Sequence, residues 1–318
     1  MPTDLVLQTR HLGKKFGNRW AVDDLDLEVR QGEVYGFLGP NGAGKSTTIR
    51  MILSLVSPTT GSVELFGRPL ARHRREVLRR VGGLVEKADF YLYLSARKNM
   101  EIIAGLRGDV SAGEIARALE TVGLADRAQD RVKTYSHGMK QRLGIAQALL
   151  GSPELVVLDE PTSGLDPQGI KEVRELIARL RRDRGMTVFL SSHLLHEIEQ
   201  TATSMAIISR GKLVIQGRVR ELLSEAIATV RIEADPLDRA TEVIAALPFA
   251  ADLRTSGQTI EVRLPQDRIA ETNRLLVQLG IQVRSVVPKR SLEEYFLMLT
   301  EGVSDVELKR HQKDISGA

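Results

Sequence analysis

Residues 5 to about 223 alternate short β-rich apolar runs with stretches of helical spacing, the pattern of an α/β unit with a buried, largely parallel sheet. Residues 33–38 (EVYGFL), 155–158 (LVVL) and 187–190 (TVFL) are the clearest strand candidates. Each is brief and gives way to glycine or polar residues, as strands do where they end at a ligand-bearing edge. A different texture begins near Ile227. Residues 229–234 alternate, then Asp235 offers an N-cap and Pro236 a first-turn proline to a helix with apolar positions at Ala240, Val243, Ile244 and Leu247. Residues 259–264 alternate again. A second helix carries Ile269, Leu275, Leu276 and Leu279 and stops at Gly280, after which residues 281–287 return to strand. Strand, helix, one or two strands, helix, strand is the order of a small α+β split-βαβ (ferredoxin-like) domain. Ser291 and Glu294 fit a capping box opening a last short helix through Leu299, followed by a polar tail. The expected division is a first domain over 1–225, a second over 226–302 and a tail over 303–318.

Composition narrows the class of protein. The chain has 318 residues, 42% hydrophobic and 27% charged, enough for a large core and about two domains. It has no cysteine, which excludes disulfides, thiolate metal sites and cysteine nucleophiles. No apolar run approaches the roughly 18 residues of a membrane span, and the N-terminus lacks the features of a secretory leader. The expectation is an intracellular protein that does not cross a bilayer unaided. A formal charge of +4 from 45 basic and 41 acidic side chains is weak support for any polyanionic partner. The run from Arg68 to Arg80 is basic but lacks interleaved aromatics, so it reads as a solvated helix face, with attraction to anionic lipid as an alternative.

The most informative stretch is Gly39, Pro40, Asn41, Gly42, Ala43, Gly44, Lys45, Ser46 and Thr47, which fits G-x-x-x-x-G-K-[ST] between a strand candidate and an apolar helical pattern at Ile49, Ile52, Leu53 and Val56. Glycines let backbone N–H groups close around phosphates, the helix N-terminus adds partial positive charge, Lys45 reaches the β and γ oxygens, and the Ser46 hydroxyl ligates magnesium. Such a loop calls for a carboxylate at the end of a hydrophobic strand. Asp159 supplies it as the metal partner, and Glu160 next to it is placed to polarise a water for in-line attack.

Three further segments follow the same order: Ser136-His137-Gly138-Met139-Lys140-Gln141-Arg142, Pro161-Thr162-Ser163-Gly164-Leu165-Asp166, and Ser191-Ser192-His193. The set resembles the nucleotide-binding domain of ATP-binding-cassette (ABC) proteins over residues 5 to about 225, and within it the ATPase subunits of bacitracin and other drug-resistance exporters. The C-terminal extension, with its Ser-Leu-Glu-Glu-Tyr-Phe segment, is similar to that subfamily's accessory domain. The resemblance implies a P-loop ABC-type α/β domain and an ATPase that uses ATP and Mg2+. It assigns Phe16 to adenine stacking, Ser136 and Gly138 to the γ-phosphate of an opposing subunit, His193 to a switch between that phosphate and the other subunit, and Asp166 to coupling the two sites. Glu86 stands where the family usually has glutamine; as an ionised acid it keeps the contact to magnesium and loses the donor. His137 and Met139 also depart from the commonest signature. The loop from Lys87 to Leu94, with Phe90, Tyr91 and Tyr93, corresponds to the family's dock for its membrane partner.

One phosphate loop and one signature segment per chain imply a head-to-tail dimer of two copies, with two identical sites. The implied function is an ATPase that powers drug-type export through a separately encoded transmembrane permease, lying in the cytoplasm on the inner face of the cell membrane. No specific nucleic acid is expected. The alternatives are a soluble cassette ATPase acting on nucleic acid or ribosomes, which normally carries two cassettes or a coiled-coil insertion, and a non-catalytic nucleotide sensor, which would not need Lys45, Asp159, Glu160 and His193 together.

Overall fold

The structure, a computed structural model, describes residues 4–86, 88–225 and 227–289. The expected helix from Ser291 to Leu299 and the polar tail lie outside the described residues. The chain falls into two compact units, Met1–Gln216 and Gly217–Ala318.

The first unit is built on two sheets. A six-stranded sheet has the order Lys212–Arg218, Ser204–Ser209, Val34–Leu38, Thr187–Ser192, Leu155–Leu158, Val81–Leu84, and the last five of these run parallel. Val34–Leu38 and Leu155–Leu158 are buried at every position, which explains why they read as continuous apolar runs without alternation. Tyr35 stacks on Phe189 at 5.6 Å between ring centroids, and Phe37 meets the same ring at 5.3 Å. Burial pushes the Tyr35 phenol well above its usual titration range, and its hydroxyl donates to Gln216 Oε1 at 3.0 Å. Each such ring buried contributes about 1.5–3 kcal/mol. A second, antiparallel sheet has the order Arg19–Arg30, Leu5–Phe16, Thr60–Leu65, Arg68–Pro69.

Helices cover these sheets, and two of them matter for function. Lys45–Ile52 follows the first parallel strand directly. The sequence pattern carries it to Val56, but Ser54 takes a left-handed conformation (φ 55°) and the helix closes at Leu53; Leu53 and Val56 still pack on the core. His137–Ala148 is capped by Ser136, whose hydroxyl accepts from Met139 N at 3.2 Å. The arginine-rich helix Leu70–Arg79 buries only Leu70 and Val77, consistent with a solvated basic face.

The second unit contains Ile227–Asp235, the helix Leu237–Ala245, Ala251–Ser256, Thr259–Pro265, the helix Ile269–Gln278 and Gln282–Lys289. Its sheet is antiparallel in the order Ala251–Ser256, Thr259–Pro265, Ile227–Asp235, Gln282–Lys289. Ile260, Val262 and Leu264 alternate inward to meet Val230, Ile232, Ala240, Ile244 and Leu276. The first helix is not capped by Asp235 as expected. Asp235 remains in the strand, Pro236 takes the cap position with no side-chain bond, and the helix ends before Leu247.

No helix among the described residues is long and apolar enough to cross a membrane.

Candidate functional site

The parallel strands deliver their C-terminal ends to one edge of the sheet, and the candidate residues gather there. Val34–Leu38 runs into the loop from Gly39 to Gly44. Gly44 has φ 110°, and a Cβ on it would lie 2.5 Å from the Ala21 carbonyl oxygen, so only glycine closes this turn. Lys45 is 5% exposed, and its Nζ donates to the carbonyl oxygens of Gly39 at 2.7 Å and Pro40 at 3.3 Å. The ammonium is therefore folded over its own loop, with Glu160 Oε1 at 3.3 Å as its counter-ion.

Two strands away along the edge, Asp159 is buried at the end of Leu155–Leu158 and its Oδ1 accepts from Ser191 Oγ at 2.6 Å. The same Ser191 hydroxyl accepts from Glu160 N at 2.8 Å. Glu160 itself holds a left-handed backbone (φ 47°), a conformation that costs energy for a non-glycine residue and persists where surrounding bonds impose it. Its Oε2 lies 2.9 Å from His193 Nδ1. One carboxylate thus touches the phosphate-loop lysine with one oxygen and the histidine with the other.

Phe16 is 54% exposed at the end of its strand and lines a cavity of about 420 Å³ together with Arg19, Asn41, Gly42, Lys45, Thr47 and Glu160. An exposed aromatic ring at one end, with Lys14 Nζ 5.2 Å from its centroid, and a phosphate cradle at the other match the shape of a nucleotide. A second, adjoining cavity is lined by Ser46, Glu86, Asp159 and Glu160, with His137, Gln141 and Ser163. The three residues expected at magnesium therefore share one space. Two carboxylates and a hydroxyl are too few for an all-protein cage, and no cluster of three or more His, Cys, Asp or Glu fit for a metal occurs among the described residues. They suit magnesium, which keeps waters and takes substrate phosphate oxygens. Glu86 is exposed, left-handed (φ 60°) and ion-paired with Arg50.

The structure does not bring Ser136 or Gly138 to the lining of either cavity. Asp166 caps the helix Pro167–Arg184, accepting from Gly169 N at 2.9 Å. His196, which has no motif support, is exposed on the short helix Leu195–Thr201. Sequence reasoning assigned no role to Ser191, Thr162, Arg50 or Glu197. Their polar contacts are made across the sheet edge, and no local spacing marks them.

A loop shaped for phosphates, set at the carboxyl edge of a parallel sheet with an acid pair beside it, defines a P-loop nucleotide-binding ATPase. The ABC transporter family model matches residues 22–163. The chain is 41% identical over 299 residues to the bacitracin transport ATP-binding protein BcrA of Bacillus licheniformis, covering 93% of this chain and 98% of that one. It is 42% identical over 211 residues to the lantibiotic transport ATP-binding protein SrtF of Streptococcus pyogenes, covering 66% and 90%. Among solved structures, cbiO1 of Clostridium perfringens, part of the ABC transporter complex cbiONQ, shares the fold with a TM-score of 0.64 at 22% identity, covering 77% of this chain and 96% of that one. The chain belongs to the ABC transporter family, in which it is an ATP-binding ATPase whose hydrolysis is coupled to transport.

Proposed function

We propose that this chain powers the export of antibiotic-type substrates through a separately encoded transmembrane permease, which holds it at the inner face of the cell membrane. The observation that carries the catalytic half of this reading is the Glu160 carboxylate set between Lys45 and His193. The transport half is supported by the bacitracin and lantibiotic transport relatives.

In this reading the backbone from Gly39 to Thr47 and the Lys45 ammonium bind the phosphates, and Phe16 stacks on adenine. Ser46, Asp159 and Glu86 hold Mg2+, which when bound neutralises charge building on the phosphate oxygens. Lys45 must leave Glu160 to reach the β and γ oxygens, and this frees the carboxylate to accept a proton from the attacking water. His193, released at Nδ1 or donating from its other nitrogen, meets the γ-phosphate. Ser136 and Gly138, which line neither cavity although His137 between them lines the second, complete the site of a second copy facing head to tail, and Asp166 couples the two sites. The exposed Tyr91, Leu92 and Tyr93 after Glu86 supply an apolar contact for the permease. The strand order of the second unit supports reading it as a ferredoxin-like accessory domain.

Phosphate release by the full chain tests the reading. Glu160→Gln is expected to bind ATP and dimerise yet turn over at least about 100-fold more slowly. Undiminished turnover removes Glu160 from its role, and failure to co-purify with an apolar membrane subunit removes the permease.

A further inference from the structure

Two side-chain crosslinks join the segment after Leu155–Leu158 to the segment around the end of Thr187–Ser192. The first is Ser191, bonded to Asp159 and to the Glu160 backbone. The second uses Glu197, which has no place in the mechanism above. Glu197 is 6% exposed, and its Oε2 accepts from Thr162 Oγ1 at 2.6 Å and from Ser192 Oγ at 2.9 Å. Thr162 follows Glu160 by two residues, and Ser192 immediately precedes His193.

Burying an ionised carboxylate is costly, and an apolar side chain would fill the same space without that cost. What the carboxylate adds is geometric. One oxygen accepting two charge-assisted hydroxyl bonds fixes the distance between the two segments more tightly than a van der Waals contact does. Its footing is rigid, because the neighbouring Ile198 is fully buried over Gly36, where an added Cβ would lie 2.5 Å from Ile198 Cγ2. Glu160 is thereby anchored on both sides, by Ser191 at its own N–H and by Glu197 two residues on. That is the restraint its left-handed backbone requires.

We propose that Glu197 is a positioning residue for ATP hydrolysis, clamping Thr162 to Ser192 so that Glu160 and His193 stand at working separation. The proposal rests on the assignment of Glu160 and His193 above. It predicts loss in the chemical step with nucleotide binding retained.

The test is steady-state hydrolysis by the full chain carrying Glu197→Gln, Glu197→Ala or Thr162→Val, with Glu160→Gln alongside. Glu197→Gln and Thr162→Val each remove part of the clamp at nearly constant volume, so they decide the matter even where Glu197→Ala fails to fold. Both are expected to lower kcat roughly 10- to 100-fold while KM for ATP moves less than about threefold. In a His193→Ala background the same substitutions are expected to cost less than in the native background, since one of the two groups whose separation they set is gone. A purely structural role would lower the melting temperature and multiply its effect in either background. Unchanged kcat in both Glu197→Gln and Thr162→Val, or fully multiplicative losses with His193→Ala, overturns the clamp. Unchanged kcat in Glu160→Gln overturns the assigned base instead, which keeps the two failures apart.

Discussion

His193 Nδ1 lies 2.9 Å from Glu160 Oε2, although the two residues are 33 positions apart in the chain. The contact follows from strand register. Leu155–Leu158 and Thr187–Ser192 pair in parallel with Leu158 opposite Leu190, so the residues just beyond each strand emerge side by side. With Lys45 on its other oxygen, Glu160 is occupied at both ends, and nucleotide entry must exchange these contacts before the carboxylate can act as a base.

His193→Ala removes one of the two partners and leaves the phosphate loop intact. Hydrolysis is expected to fall about 100-fold or more, in the range that a positioned acid–base partner supplies, while ATP affinity changes by less than about threefold. Phosphate release and equilibrium binding of a fluorescent nucleotide check the two halves. Loss of binding equal to the loss of rate would place His193 in the loop's integrity instead.

The phosphate loop was legible in the sequence because its chemistry is local: nine consecutive residues contain the turn, the cation and the helix start. Asp159 and Glu160 were legible for the same reason, at the end of a fully buried strand. The crosslinks were not. Ser191 to Asp159, and Glu197 to both Thr162 and Ser192, depend on which strands neighbour one another, and no periodicity reports that. Helix ends fared similarly. Ser54 stops one helix two residues short of an apolar position that tertiary packing fills anyway, and Asp235 stays in its strand, leaving the helix cap to Pro236. The pairing of Glu86 with Arg50 was likewise hidden, since it joins a loop after one strand to a helix after another.

Arg80 and Glu154 fasten the edge strand Val81–Leu84 to the start of Leu155–Leu158. Arg80 Nε and Nη2 donate to the two carboxylate oxygens at 2.5 and 2.6 Å, and this hydrogen bonding holds the Glu154 carboxyl below its usual range. A carboxyl whose pKa is lower folded than unfolded stabilises the fold above the unfolded value of about 4.3, and that stability is lost as pH falls through the folded value. Glu154→Gln is therefore expected to cost about 0.2–1 kcal/mol at pH 7, a small figure because both side chains are about half exposed. The difference should vanish as the solution is taken below the carboxylate range, and shrink in about 1 M salt. Urea titrations across pH give the comparison; a gap that persists in acid would assign the effect to packing.

Gly82 marks the tightest approach between the edge strand leading to Glu86 and the helix carrying the Ser136 cap. A Cβ on Gly82 would stand 1.8 Å from the Ala148 carbonyl oxygen, a backbone atom that cannot rotate away. Gly82→Ala is expected to cost at least about 1–3 kcal/mol, because strand and helix must part to admit one methyl group. Gly105, inside the helix Ala96–Arg107, offers the opposite case: its added Cβ meets nothing within 4 Å. Gly105→Ala is expected to stabilise by about 0.5–1 kcal/mol through helix propensity and the reduced entropy of the unfolded chain. Urea midpoints measured side by side separate the two effects. If the substitutions shift stability in the same direction, close packing at Gly82 is not what requires a glycine there.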